Sequence, residues 1–410
     1  MKKIAVIGGG PAGMMAAVKA AEKATEVILI EKMPSPGRKL LITGKGRCNL
    51  TNTGDRETFF NNINSNPKFL YSAFDTFDNS ALISFMEKRG VKIKEERGGR
   101  VFPESDRSQD VLEAFIKHLK SKNVKIQTGI RAKRILAEEG MVKGINTDEG
   151  DVLADAVILT TGGASYPGTG SMGEGYKMAR DIGHSIVPLK PGLVPLETKE
   201  RWVEGVQGLT LKNVKLEAYS NNILLGSQFG EMLFTHFGVS GPIVLSLSNK
   251  IVDSLQRGKG VKLIINLKPA LSLEQMDRRI QRDFEKNSRK QFKNSLDELL
   301  PKSLIPVVIE QCNISEEKQV NQITRQERIN LASILLGLTL TIKKSRSIKE
   351  AIVTRGGVNV KEVNPRTMES KIVKGLYFAG EVLDIDAYTG GFNLQCAFST
   401  GYVAGISAVI

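Results

Sequence analysis

The run KIAVI at residues 3–7 is apolar beyond its lysine, and it gives way to Gly8-Gly9-Gly10 and then to an Ala- and Met-rich stretch from Ala12 to about Lys23. Unbroken apolarity over a few residues predicts a strand, and the longer stretch after it predicts a helix. A second apolar run, EVILI at 26–30, ends in Glu31-Lys32, so the chain opens as a βαβ unit. Runs at about 124–128 and at 153–161 (LADAVILTT) extend the same sheet, because near-continuous apolar strands are those covered on both faces. Between them, 80–90 and 108–122 read as helices. Beyond His184 the texture changes: Pro188, Pro191 and Pro195 punctuate shorter, alternating segments such as VKLEAYS, which predict an antiparallel or barrel-like piece. From about 271 to 333 the pattern is helical and heavily charged, short strands return near 350–378 (AIVT, LYFA), and 394–408 closes the chain as a helix. The predicted organisation is α/β, with a discontinuous nucleotide-binding domain, 1–190 plus 350–410, interrupted by an inserted domain.

Size agrees with more than one domain, since 410 residues exceed what a single core usually serves. A composition of 41% hydrophobic and 25% charged residues is that of an ordinary globular protein. No stretch of about 18 apolar residues exists, so no membrane-spanning helix is expected. The opening MKKIAVIGGGPAGMM imitates a signal peptide, but its glycines break the apolar segment at once. Cys48, Cys312 and Cys396 lie far apart without a CxxC pair, which argues against a disulfide framework and fits a reducing cytoplasm. His118, His184 and His236 have no clustered Cys or acidic neighbours, so no metal site is expected. The net charge of +14 is uneven: residues 251–350 hold 19 Lys and Arg against 12 Asp and Glu, half of the surplus. A solvated helical surface accounts for this, and so does a nucleic-acid face.

Gly8-x-Gly10-x-x-Gly13 sits between a predicted strand and a predicted helix, and Glu31 follows 18 residues beyond Gly13. Gly8 permits a tight turn, Gly10 lets backbone approach a pyrophosphate, Gly13 lets helix and strand close, and the helix N-terminus carries partial positive charge toward phosphates. Pro11 and Ala12 at the helix start and Lys32 after the acid join this set. An acid at the end of the second strand accepts from ribose hydroxyls and repels a 2′-phosphate, which favours FAD or NAD. The C-terminal stretch GLYFAGEVLDIDAYTGGFNLQCAFSTG resembles the late strand ending in Gly-Asp or Gly-Glu of the large two-dinucleotide-type flavoproteins, and that resemblance implies FAD: Gly380-Glu381 ends the strand, Gly390-Gly391 clears room for a flat ring, and the helix from about Leu394 offers its dipole to a reduced flavin. Asp384 and Asp386 suit a ribityl contact, a proton shuttle or a turn cap equally. Gly168-x-Gly170-x-x-Gly173 matches the glycine fingerprint again but is separated from its strand by Gly162–Pro167, so it does not predict a second dinucleotide domain.

VIGGGPAGMMAA, EKMPSPGRKLLITGKGRCNLTN, TTGGASYPGTGSMGEGYKMARDIGH, GEMLFTHFGVSGP and GEVLDIDAYTGGFNLQCAFSTG together resemble the bacterial flavoproteins known as aminoacetone-oxidase-like or bile-acid-reductase-like NAD(FAD)-utilising dehydrogenases. The resemblance spans nearly the whole chain. It implies a Rossmann-type FAD domain, an inserted β-rich, barrel-like domain (191–270 plus about 334–349) and a small helical, basic subdomain (271–333). It also implies that Arg38, Lys39, Thr43, Arg47, Cys48 and Asn49 run beside the cofactor, that Thr161, Gly162 and Gly163 lie near it, and that Gly391, Asn393, Leu394 and Gln395 touch the flavin, with Asp386 nearby. Tyr166, His236 and Tyr388 are candidates for the substrate side, although His236, with no identifiable partner acid, reads first as a buried or capping residue. Members of this family have been tied to aminoketone oxidation, to reduction of conjugated C=C bonds and to reduction of uridine in ribosomal RNA. Three accounts therefore stand: oxidation of a small amine or carbonyl compound; reduction of a C=C bond with NAD(P)H as transient reductant, the substrate a small molecule or a uracil in RNA gripped by the basic inserted region; and an FAD-containing binding or assembly factor without turnover. Oligomeric state is not legible in the sequence.

Overall fold

A computed structural model describes residues 2–23 and 26–410. By contacts the chain divides into two units, Met1–Gly192 with Ile348–Ile410, and Leu193–Ser347.

The first unit begins as the apolar pattern predicts, with β1 (Lys3–Ile7), α1 (Pro11–Ala21) and β2 (Glu26–Glu31). α2 (Arg38–Ile42) leads into β3 (Thr51–Asn52), and the short helices α3 (Arg56–Asn61), α4 (Tyr71–Thr76) and α5 (Asn79–Glu87) follow. Asp55 and Asp78 cap α3 and α5 by accepting from Thr58 N and Ala81 N. β4 (Ile93–Glu96) and β5 (Arg100–Pro103) form a small antiparallel sheet with β3. α6 (Ser108–Ser121) returns to β6 (Lys125–Thr128), and a three-stranded meander of β7 (Ala132–Glu138), β8 (Met141–Thr147) and β9 (Gly150–Leu153) precedes β10 (Ala156–Leu159). α7 (Glu174–Asp181) and β11 (Ile186–Gly192) end this part.

The second unit is a closed six-stranded antiparallel barrel. Its strands are β12 (Leu196–Thr198), β13 (Thr210–Ser220), β14 (Ile223–Thr235), β15 (Gly238–Ser240), β16 (Val261–Asn266) and β17 (Leu338–Ser345), in the order β12-β15-β14-β13-β16-β17. The alternation in VKLEAYS turns Val214, Leu216 and Ala218 inward. α8 (Pro242–Gln256) packs on the barrel strands, and α9 (Leu273–Lys286), α10 (Ile305–Cys312) and α11 (Arg325–Leu336) follow β16. Ser272 and Thr324 start α9 and α11 with complete capping boxes. The helical stretch puts Met276, Ile280, Phe284, Leu331 and Leu335 into the core shared with Leu216, Leu263 and Ile265 of the barrel. By packing, the insertion is thus one unit with one core.

The chain then re-enters the first unit through β18 (Val353–Val358), which pairs with β11, and β19 (Leu376–Phe378), and ends in α12 (Phe392–Ser407). The main sheet runs β19-β10-β1-β2-β6, every neighbour parallel. β19 thus extends, next to β10, a sheet that began some 370 residues earlier. α12 packs along α1 through small residues: a Cβ at Gly401 would stand 2.4 Å from Ala12 O, and one at Gly405 2.4 Å from Ala16 O. Among the described residues, no helix is long and apolar enough to cross a membrane.

Candidate cofactor and active site

The C-terminal ends of β1, β2 and β10 meet at the glycine turn. Gly8 has φ +103° and its N–H donates to Ile30 O at 2.8 Å, which ties the turn to β2. Thr160, just past β10, donates its hydroxyl to Ile7 O (2.8 Å) and Gly8 O (2.9 Å). A Cβ at Gly13 would lie 1.9 Å from Gly8 O, so the start of α1 can approach the strand only with glycine there. A Cβ at Gly10, by contrast, would meet no atom within 4 Å. That open backbone, at the N-terminus of α1, is what a phosphate needs. Glu31 closes the turn, Oε2 accepting from Gly9 N (2.7 Å) and Oε1 from Met33 N (2.8 Å).

The chain's last tenth reaches the same place. A Cβ at Gly380 would sit 2.8 Å from Ala12 Cβ, and Gly380 N donates to Thr400 Oγ1 at 3.0 Å. Glu381 is held by four donors from four elements: Lys39 Nζ (2.8 Å), Ser165 Oγ (3.2 Å) and Thr354 N (2.8 Å) reach its carboxylate, and Tyr176 Oη reaches its carbonyl (3.2 Å). Lys39 Nζ also donates to Ser165 Oγ at 2.7 Å, and Ala164 N to Thr354 Oγ1 at 2.8 Å. Burial, with Glu381 beside it, pushes the Tyr176 phenol well above its ordinary range, so it stays a neutral donor. Ser165 and Tyr176 lie inside the stretch TTGGASYPGTGSMGEGYKMARDIGH without a role assigned to them there, and Thr354 lies outside every motif. They act here only because the loop after β10, α7, β18 and the turn after β19 are brought together.

The remaining predicted residues divide by what their side chains touch. Arg38 has no ion-pair partner among the described residues. Lys32 pairs with Glu174, which Arg131 also reaches at 2.8 Å. Thr43 donates to Leu40 O at 2.7 Å. Arg47, expected at the flavin edge, commits its guanidinium to Glu96 (2.7 Å) and Asp106 (3.3 Å) and lies over the Phe102 ring. Cys48 is fully buried at φ +62°, and burial drives its thiol up to about 12, so it is an inert filler. Asn49 Oδ1 and Thr161 Oγ1 are buried without a hydrogen-bond partner. Gly163 is pressed against Thr354, its added Cβ falling 2.3 Å from Oγ1.

At the start of α12 three of the expected flavin contacts are committed within the chain itself. Gly391 is required by its own chain: at φ +99°, a Cβ would come 2.3 Å from Thr51 O. Asn393 clamps the preceding loop, its Oδ1 accepting from Ala387 N and its Nδ2 donating to Ala387 O and Tyr388 O. Gln395 is buried and fully used by Thr51, Phe77 and Ser399. What these contacts leave for a ligand is the N-terminus of α12 itself, starting at Phe392, and the side chain of Leu394, half-buried. Asp384 and Asp386 stitch this loop to residues 64–66: Asp386 accepts from Asn64 Nδ2 (3.0 Å) and Ser65 Oγ (2.5 Å), and Asp384 from Asn66 Nδ2 (2.9 Å). Tyr388 is half-buried, and burial raises its phenol. Tyr166 is 37% exposed at φ +52°, a strained conformation for an aromatic residue. His236 is exposed between β14 and β15 with its ring edge against Phe237, so it is neither buried nor a cap. Among the described residues, no cluster of His, Cys, Asp or Glu is suited to a metal.

The arrangement fits an adenine–flavin dinucleotide. The orphaned Asn49 Oδ1 and Thr161 Oγ1 are polar atoms that a native protein pairs, and the Gly10 backbone is a cradle that any side chain would fill.

Comparison with known proteins bears on the same cofactor. The family model described as the HI0933-like protein Rossmann domain matches residues 2–407. The chain is 33% identical to a 3-dehydro-bile acid delta(4,6)-reductase of Clostridium scindens over 100% of this chain and 99% of that protein. It is 32% identical to a ribosomal RNA dihydrouridine synthase of Escherichia coli, covering 97% of this chain and 95% of that one. In fold it resembles the 3-ketosteroid-delta4-(5alpha)-dehydrogenase of Rhodococcus jostii, with a TM-score of 0.50 at 14% identity, over 100% of this chain and 97% of the other.

Proposed function

This chain belongs to the HI0933-like family of Rossmann-type, FAD-dependent oxidoreductases, and from that premise we propose that it reduces a carbon–carbon double bond polarised by a neighbouring carbonyl group. The observation that carries the reading is a chemistry common to two names for unlike substrates. A delta(4,6)-reductase acting on a 3-dehydro-bile acid and a synthase of dihydrouridine each add hydrogen across a ring double bond activated by a carbonyl.

FAD, when bound, supplies the hydride chemistry, with NAD(P)H as a transient reductant that needs no domain of its own. The chain supplies binding, orientation and charge. The Gly8–Gly13 turn, Pro11, Ala12 and Glu31 hold the adenosine and pyrophosphate end. Arg38, Asn49, Thr161 and the backbone of Gly162–Gly163 supply polar contacts. Glu381 anchors the Lys39 ammonium at the junction of the two chain ends. The N-terminus of α12, pinned by Asn393 and Gln395, supplies partial positive charge that favours an anionic reduced ring. Tyr166, held in strained backbone, and Tyr388 are assigned to the substrate side, where a neutral phenol can donate a hydrogen bond to the activating carbonyl.

A second reading, that the reduced base is a uracil within RNA, is favoured by the net charge of +14 and its concentration in the inserted unit. Anaerobically reduced holoenzyme, mixed separately with cyclic enones and with uridine-containing RNA, tests both readings. The expected result is return of the oxidised flavin spectrum with a product two hydrogens heavier. Reoxidation by molecular oxygen alone across that panel would overturn the proposal and favour oxidation of a small amine or carbonyl compound.

A further inference from the structure

The inserted unit carries a surface that flavin chemistry does not use. On α9, Met276, Ile280 and Phe284 are spaced by four and buried in the core, while Arg278, Arg282 and Lys286, also spaced by four, are exposed to solvent. Each step along the latter row advances about 6 Å, close to the separation of successive phosphates on one strand. Arg289 and Lys290 continue the exposed cations beyond the helix, where backbone bonds from Lys290 N to Asn287 O (2.8 Å) and from Val320 N to Lys290 O (3.0 Å) hold the chain in place.

Of the four acids that α9 carries beside its four cations, two are taken up by arginines outside this row, while Glu274 and Glu285 stay exposed beside it. Asp277 accepts from Arg328 at 2.5 Å, and the buried Asp283 accepts from Arg279 at 2.9 Å. Glu274 stands 3.9 Å from Arg278, and Glu285 is bonded by Gln281 at 3.4 Å. Arg282, Lys286, Arg289 and Lys290 have no acidic partner among the described residues. A shallow crevice of about 620 Å³ is lined by Gln275, Arg278, Arg279, Gln281 and Arg282, whose guanidinium and amide groups can donate side by side, and by the single carboxylate of Glu285. The apolar face of α9 is spent on the protein core, so the helix cannot lie in a lipid interface in the manner of an amphipathic membrane anchor.

We propose that the exposed row from Arg278 to Lys290 is a docking surface for the phosphate backbone of structured RNA. This rests on the reading that the reduced base is carried in RNA, and it names the partner surface of that reading. The contacts are to phosphates, so they set affinity and register while the site reads the base.

The test measures binding of the FAD-loaded full chain to protein-free ribosomal RNA across roughly 50 to 200 mM salt. It compares the wild type with R282E/K286E/R289E and with the charge-matched control K117E/K120E/K122E on the other unit, FAD content and melting temperature reporting that each variant is folded. We expect the α9 variant to bind at least ten-fold more weakly at low salt and to lose about 2 to 3 from the log–log salt slope, with the control within about one of wild type. Equal loss in both variants, or in neither, overturns the surface while leaving an RNA substrate standing. Stronger binding of the wild type to anionic phospholipid vesicles than to RNA also overturns it. Absence of RNA binding by the wild type removes both the surface and the RNA reading, and leaves C=C reduction of a small molecule untouched.

Discussion

The two units solve packing with different materials. In the Rossmann-type unit, backbones touch: α12 rides on α1 at Gly401 and Gly405, and α1 meets its own turn at Gly13. In the barrel unit, bulky side chains such as Phe234, Phe292 and Leu263 fill the space between elements. Close backbone contact leaves no slack; in the barrel unit it is found between paired strands, a Cβ at Gly238 falling 2.3 Å from Leu196 O, whereas in the Rossmann-type unit it also joins helix to helix. Side-chain packing is more forgiving, and it frees the outer face of that unit to carry charge.

The sharpest way to break this comparison is to add one methyl group. G13A places a Cβ 1.9 Å from Gly8 O and G401A places one 2.4 Å from Ala12 O. We expect each to cost roughly 3 kcal/mol or more and to abolish FAD retention, measured by denaturant unfolding and by flavin content. Matched removal of a methylene in the barrel, Ile265→Val, should cost only about 1 kcal/mol. If that change proves the costlier, the contrast fails. Next in size is K39M, which leaves Glu381 without its cation. With both side chains about one-fifth exposed, the expected cost is about 1 to 2 kcal/mol, with FAD affinity falling about ten-fold by titration of the apoprotein.

A pH effect sharpens the comparison further. His184 is buried, bonded through Nε2 to Ser370 Oγ at 2.8 Å, and Nδ1 lies 3.2 Å from Glu362, off the line of a hydrogen bond. Burial lowers its pKa below the ordinary 6.5 despite that carboxylate. The unfolded chain therefore binds more protons than the folded one below about pH 6.5, so this contribution is complete above that pH and is lost as pH falls toward the lowered folded value. Melting temperature should drop between about pH 7.5 and 5.5, and H184Q should flatten the drop; an unchanged slope would remove the assignment. The smallest effect is expected at the tip of the β13–β14 hairpin. Ile223 is 66% exposed, and I223S should shift stability by less than about 0.5 kcal/mol in thermal unfolding.

Much of the parallel sheet was legible because buried strands must be continuously apolar, as in VILI of β2 and AVIL of β10. The glycine turn was legible because its function needs a missing side chain, and absence of a Cβ is written in the residue itself. The β7–β9 meander was not, since its strands are half-exposed and lack a continuous apolar run, and neither was the small sheet of β3, β4 and β5, whose strands are only two to four residues long. The partner of Arg47 was not legible for a different reason: a cation among glycines looks the same whether it faces a phosphate or Glu96.

By itself the sequence determined the α/β class, the interruption of one unit by another, the fingerprint with its trailing acid, and a charged helical stretch in the insertion, because each depends on residue type and local spacing. Only the tertiary structure decided that Glu381 is shared by Lys39, Ser165, Thr354 and Tyr176, that Gly391 serves Thr51, and that Asp386 belongs to residues 64 and 65. Those partners lie up to about 340 residues apart. Which distant groups meet is set by the register of a sheet whose last strand is supplied by the end of the chain, and no local spacing encodes that register.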